Sequence, residues 1–335
     1  MSYTTQVITA QAEFFALETE WQQLLTSSAT NEVFQSFSFL ATWWKEFRPG
    51  ELSIISVRDK ANNLVALAPL FSEKINEEKN IKMLGCINVS DYLDILITKN
   101  GVDELYPILL GAVKNLSWSR LEWCSLPEAS PSRTWLKDFF TAHTVSELQQ
   151  DVCPQIILPD NWEEYLSSLD RKQRHEIRRK ERRLQERGYI YEEIVLPSQV
   201  DIADFIYLHK QSSKDKRDFW NTTHLEFFRQ VLPAIGKQGW LRLFFLKVAE
   251  KRVAAMLVFD YNNQFQLYNS GFLLEEFSEL SVGSLLTAHT IKRAIEEKRS
   301  VYDFLRGDES YKFRYTKHSK PIFDITITRD DPSAK

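Results

Sequence analysis

Apolar positions along this chain follow two rhythms. LSIISVR (Leu52–Arg58), RLEWCSL (Arg120–Leu126), LRLFFLKVA (Leu241–Ala249), VAAMLVFDY (Val253–Tyr261) and QFQLYNSGF (Gln264–Phe272) are short runs rich in β-branched and aromatic residues, and they predict strands. Longer stretches with apolar residues on one side predict helices at about Glu13–Leu25, Phe34–Phe47, Val102–Lys114 and Val282–Glu297. LVALAPLFSEK, to Lys74, and MLGCINVSDYLDILI, to Ile97, add strand-like material to the first half. VYDFL, from Val301, and PIFDITITR (Pro321–Arg329) close the second. The turn EKR between Leu241–Ala249 and Val253–Tyr261 is a hairpin signal.

Hairpin, strand, helix, strand thus occurs twice, although residue identity between the halves is slight. The expectation is two α/β domains, each a mixed twisted sheet flanked by helices, at residues 1–155 and 156–335. The segment Thr141–Pro159 is expected to link them.

Composition supports a folded chain. Of 335 residues 43% are hydrophobic, with 22 Phe, 12 Tyr and 9 Trp, ample for two cores. The net charge of -4 gives no global pull toward nucleic acid or anionic membrane, so any polyanion must meet a local patch. Cys86, Cys124 and Cys153 lie far apart without a CxxC pair, and are expected as buried thiols in a reducing compartment. The start of the chain shows no signal-peptide pattern and no apolar run approaches 18 residues, so a cytoplasmic protein without a transmembrane segment is expected. The six His are scattered without HExxH spacing, so no metal is expected. There is no Walker loop, GxGxxG or GxSxG, which disfavours a kinase, a Rossmann dehydrogenase and a serine hydrolase.

One segment breaks the even charge distribution. NWEEYLSSLDRKQRHEIRRKERRLQERGY predicts a single helix capped by Asn161 or Asp160 and stopped at Gly188. Its glutamates can pair with neighbours three or four positions away, which describes a solvated helix. Its excess of positive charge equally describes an anion-binding face of Arg171, Lys172, Arg174 and Arg178. No second recognition element or zinc spacing accompanies it, so DNA is not the expected partner.

Chemistry is expected near the end of the chain. Tyr268, Asn269, Ser270 and Gly271 fall at a strand edge, and Ser281–Ser284 form the turn into the following helix, where exposed N–H groups favour phosphate. In VYDFLRGDESYKFRYTK, Asp303, Asp308, Glu309, Lys312, Arg314, Tyr311 and Tyr315 crowd one turn. They can orient an amine and move its proton, or simply tie the turn together by ion pairs.

The stretch Tyr302–Tyr315 (YDFLRGDESYKFRY), LSVGSLLTAHTIKRAIEE before it and the basic run RKQRHEIRRKERRLQERG resemble the GNAT superfamily, in the branch of CelD-like cellulose-biosynthesis proteins and FemAB aminoacyltransferases. The likeness covers Asn161–Arg329 well and the first half loosely. It implies two GNAT-like domains, the first degenerate, and direct N-acyl transfer from acyl-CoA, as co-substrate with no tightly bound cofactor, to a small amine-bearing acceptor. Aminoacyl-tRNA is the donor in the Fem branch, and a noncatalytic binding or scaffold protein is a further alternative. The GNAT pyrophosphate loop, Q or R, x, x, G, x, then G or A, is matched in Leu280–Leu285 only by Gly283, which leaves the donor open. By position the resemblance implies Gly283 and Ser284 at a donor phosphate, with Arg174 and Arg178 as clamps. Asp308, Tyr268 and Lys312 would be catalytic, and Asn269, Tyr311, Tyr315 and Arg306 would meet the acceptor. Asp303 would be architectural.

Overall fold

A computed structural model describes residues 3–86, 89–273 and 277–329. The chain forms two compact units, one of residues 1–151 with 321–335, the other of residues 152–320. The expected linker is a 14-residue strand, Thr144–Ile157, inside which the chain passes from one unit to the other. The final segment, expected in the second domain, belongs with the first from Pro321 onward.

In the first unit the antiparallel strands Thr4–Ile8, Ile54–Arg58, Leu64–Ala68 and Leu96–Ile97 make one sheet. A second set runs Glu51–Leu52, Leu70–Ile75, Glu78–Met83, Arg120–Pro127 and His318–Thr328. The helix Val102–Lys114 buries Leu105, Tyr106, Leu109, Leu110 and Val113, which recur at helical spacing. Within MLGCINVSDYLDILI, of which residues 87 and 88 lie outside the described residues, one strand ends at Met83 and the next described strand begins at Leu96. Cys86 and Cys124 are joined in a disulfide, which corrects the expectation of three free thiols; Cys153 is free and buried. The reason is register. Asn80–Lys82 pair in parallel with Arg120–Glu122, so residues just beyond them are carried side by side despite a separation of 38.

The second unit is built on the antiparallel strands Tyr189–Ile194, Leu241–Val248, Lys251–Tyr261 and Gln264–Phe272. Val301–Asp303 pairs in parallel with the last of these, and antiparallel with Gln155–Ile157. The helix Val282–Glu296 packs through Leu286, Ile291 and Ala294, all fully buried. Gln199–Ser212 lies against Gln264–Phe272, and Gly271 makes this approach possible: a Cβ there would sit 2.2 Å from the backbone nitrogen of His209.

The basic segment is two helices, Trp162–Ser168 and Arg171–Gln185. Asn161 caps the first, accepting from the Glu164 backbone N–H. The break at Leu169 and Asp170 is stabilised by Arg174, whose guanidinium donates to the carbonyls of Leu166 and Ser167 and satisfies that helix's C-terminal end. No helix among the described residues is long and apolar enough to cross a membrane.

Candidate active site

Strand Gln264–Phe272 has nine residues, but only Gln264–Gln266 have a parallel partner, in Val301–Asp303. Beyond Asp303 the chain turns away. The Phe304 and Gly307 N–H groups donate to the carbonyls of Pro154 and Val152. The far half of the long strand is thereby left with an open edge. Its outward groups are met by side chains: Phe272 N–H donates to Ser212 Oγ at 2.9 Å, and the Ser270 carbonyl accepts from Lys216 Nζ.

A cavity of about 370 Å³ occupies this divergence. Met256, Phe272, Leu273, Phe277 and Val282 give it an apolar wall, and Lys216, Tyr311, Arg314 and Tyr315 bring polar groups. Ser281, Gly283 and Ser284 close one end. Ser281 is in the left-handed region at φ 53° and makes no side-chain cap, so the first N–H groups of the 15-residue helix are not taken by a capping side chain. There is no acid in that first turn, and the helix's positive end is uncompensated by its own side chains. Gly283 keeps its wall thin: a Cβ there would lie 3.0 Å from the Phe272 ring.

Tyr315 is buried and its hydroxyl donates to the Ser284 carbonyl at 3.2 Å. Burial raises its phenol to about 12, with the bonds to Ser284 and Thr287 pulling the other way. Tyr311 is also raised by burial, and next by Glu309. Its hydroxyl has no hydrogen-bond partner among the described residues and is a neutral donor at physiological pH.

Of the residues expected at a site, Gly283, Ser284, Tyr311 and Tyr315 line the cavity. Ser270, Ser281 and Arg314, also expected near the chemistry, line it too, and the others lie elsewhere. A bulge between Leu257 and Val258 shifts the strand register, and Tyr268 packs between Phe228, at 5.9 Å, and Phe259, at 5.1 Å. Asn269 takes a hydrogen bond from Nε2 of His209 at 2.9 Å, while Trp220 donates to His209 Nδ1. Burial depresses that imidazole to about 4, so the pair is a neutral contact, and Asn269 does not line the cavity. Lys312, expected to relay a proton, is 3% exposed, and its ammonium is spent on the carbonyls of Leu305, Arg306 and Gly307 and on Glu309. It ties the turn that ends the short strand. Arg306 contributes its carbonyl to that tie and does not line the cavity, and Asp308 is exposed away from it. Arg178 pairs with Glu163 at 2.7 Å and, with Arg174, lines a separate groove on the basic helix. Asp303 is architectural: it accepts from Gln155 Nε2 and the Leu305 N–H, both at 2.7 Å.

Sequence reasoning missed Lys216 and the apolar side chains of the wall. Lys216 sits in KDKRD, a charged stretch with nothing to mark one lysine from another. Only its reach to the Ser270 carbonyl distinguishes it.

Residues 171–313 match the family model described as Acetyltransferase (GNAT) domain. No curated protein matches the chain in sequence. Among solved structures it is similar to FemX, with 12% identity, 97% of each chain covered and a TM-score of 0.66. It is also similar to the C-terminal domain of a putative lysylphosphatidylglycerol synthetase from Agrobacterium fabrum (9% identity, 97% of this chain and 94% of that one, TM-score 0.56). A tandem GNAT protein from the clavulanic acid biosynthesis pathway matches at 9% identity, over 97% of this chain and 98% of that one, with a TM-score of 0.51. Residues 171–313 thus match a GNAT domain, and the chain has the mixed α/β fold of FemX and of tandem GNAT proteins.

Proposed function

We propose that the cavity of the second unit holds an acyl donor, acyl-CoA in the first place, and that its acyl group passes to an amine of a sugar, amino acid or related small metabolite in polysaccharide or envelope assembly. The first unit is then a degenerate copy without a donor site. The observation that carries this reading is the apolar cavity at the diverging strand ends, closed by the uncapped start of Val282–Glu296. An apolar wall suits an acyl thioester arm. The N–H groups near Gly283 and Ser284, with Arg314 nearby, suit the donor's phosphates. Transfer is direct: the neutral acceptor amine bonds to the thioester carbonyl carbon, the C–S bond breaks, the Tyr311 hydroxyl supplies a proton to the leaving thiolate, and the proton lost by the nitrogen restores Tyr311, giving an amide and a free thiol.

Calorimetric titration with CoA, acetyl-CoA and a long-chain acyl-CoA tests this. Saturable binding is expected, weakened at least 100-fold by Gly283→Trp in a variant that keeps its circular dichroism. Failure of all three to bind rules out the CoA reading.

One observation favours a second donor, aminoacyl-tRNA. Arg171, Lys172, Arg182 and Arg183 on the basic helix are exposed and hold no ion pair among the described residues, a face suited to a phosphate backbone. Binding of charged tRNA that falls steeply with salt would select it over acyl-CoA.

A further inference from the structure

Among the described residues that line the cavity, none is Asp, Glu or His. The nitrogen nucleophile of its wall is Lys216, on the short helix Lys214–Asp218 that Ser213 caps. Its Nζ donates to the Ser270 carbonyl on the open strand edge, with Ser270 Oγ 3.5 Å away, and it stands 6.0 Å from the centre of the Phe272 ring. An ammonium has three donors, and one good bond uses one of them. The charges around it come from several elements. Glu309, from the turn after Val301–Asp303, favours the cation, but its carboxylate is bonded to Lys312 at 2.8 Å. Lys312 opposes the cation, Arg314 and Tyr311 stand in the same wall, and His209 on the neighbouring helix is neutral. Burial, the largest influence, and Lys312 outweigh Glu309, and the amine titrates at about 8.

We propose that Lys216 is a self-acylation site, taking an acyl group from a thioester donor seated in the cavity. The proposal rests on the acyl-CoA reading above. In the step, the neutral Nζ attacks the thioester carbonyl carbon, the N–C bond forms and the C–S bond breaks. Sulfur leaves as the thiolate and receives the proton lost by nitrogen, directly or through Tyr311, giving an Nε-acyl-lysine and a free thiol. The amide is stable, so it is an end state and not a turnover intermediate. It removes a cation from the wall and lodges the acyl group where the donor sat, so acylation limits further donor binding.

The test incubates the full-length protein with acetyl-CoA from pH 6.5 to 9 and maps acetylated peptides by mass spectrometry. One acetyl group on Lys216 is expected, forming faster than on the exposed Lys172. Its rate should rise about tenfold from pH 7 to 9 and level off, whereas an ordinary surface lysine gains about 100-fold over the same range. Lys216→Arg should remove this label, and Gly283→Trp should remove it while leaving that on Lys172. Labelling of Lys216 no faster than Lys172, or unaffected by Gly283→Trp, overturns the proposal. Calorimetric binding of acetyl-CoA without acetylation of Lys216 overturns it alone; no binding at all overturns the donor reading with it.

Discussion

The two units each place a helix after a strand, and neither helix start, at Val102 or at Val282, has a side-chain cap. Their first turns differ. Val102–Lys114 carries Asp103 and Glu104 there, so its own carboxylates answer the positive end of the helix. Gly101 before it is hemmed in, since a Cβ would come within 2.5 Å of Leu105 and 2.8 Å of Thr98. Val282–Glu296 has Gly283 and Ser284 in the same turn, no acid, and a cavity in front. The buried polar groups follow the same division. In the first unit Asp94 is enclosed, accepting from Ser130 Oγ at 2.5 Å, from Ser132 Oγ and from the Ile95 N–H at 2.8 Å, and Ser132 is bonded in turn to Tyr106. In the second, Tyr311 and Lys216 keep hydrogen-bonding capacity. A repeated order of elements does not carry a site with it. The residues at one helix turn decide whether the helix start is answered by its own carboxylates or left open beside a cavity.

The largest way to break this contrast is Asp94→Ala. It orphans two hydroxyls and an N–H and should cost about 4 kcal/mol in urea unfolding, with acetyl-CoA affinity per folded molecule unchanged. Loss of binding in a still-folded variant would mean the enclosed cluster serves the ligand after all.

The next effect is in pH. Burial raises Asp94 to about 6, with the hydroxyl and N–H bonds opposing. The folded state therefore keeps its proton at pH values where the unfolded chain has lost it. The resulting stabilisation is full below about pH 4 and disappears as pH rises through about 6, a change on the order of 3 kcal/mol. Asp94→Asn should flatten that part of the stability profile; an identical profile would refute the assignment.

Ser284→Glu copies the first unit's pattern into the second. Donor affinity should fall roughly tenfold, about 1.4 kcal/mol, and the melting temperature should hold, because an acid suits a helix start. Tighter donor binding in this variant would show that the helix end does not meet phosphate. The smallest change is Arg178→Ala, which removes an exposed pair with Glu163 and should shift stability by less than about 1 kcal/mol, leaving acetyl-CoA binding as it was.

Much of the fold was legible along the chain. The helix Val102–Lys114 and the strand Gln264–Phe272 have the bounds that periodicity predicts, because each puts one apolar face on a core. The basic segment was misread as a single helix. Charge and propensity are continuous through Leu169–Asp170, and the break depends on Arg174 reaching back to two carbonyls. Gly283, Ser284, Tyr311 and Tyr315 stand in the cavity wall, and each has a local signal, a glycine before a helix or a tyrosine-rich turn. Tyr268 and Asn269 lie outside the cavity wall, opposite a bulge that leaves no trace in composition.

By itself, then, the sequence determined the elements, their repeated order and the identity of the charged and aromatic clusters, since these follow from local propensity and from the period of burial. Tertiary structure decided which of those clusters are tied and which are open. Lys312 and Lys216 are both lysines in charged stretches, yet one is spent on three carbonyls and a carboxylate, and the other meets a single strand carbonyl at a cavity wall. That difference comes from where a short parallel pairing ends, at Asp303, and hydrogen-bond partners set by the divergence of two strands are not encoded near either lysine.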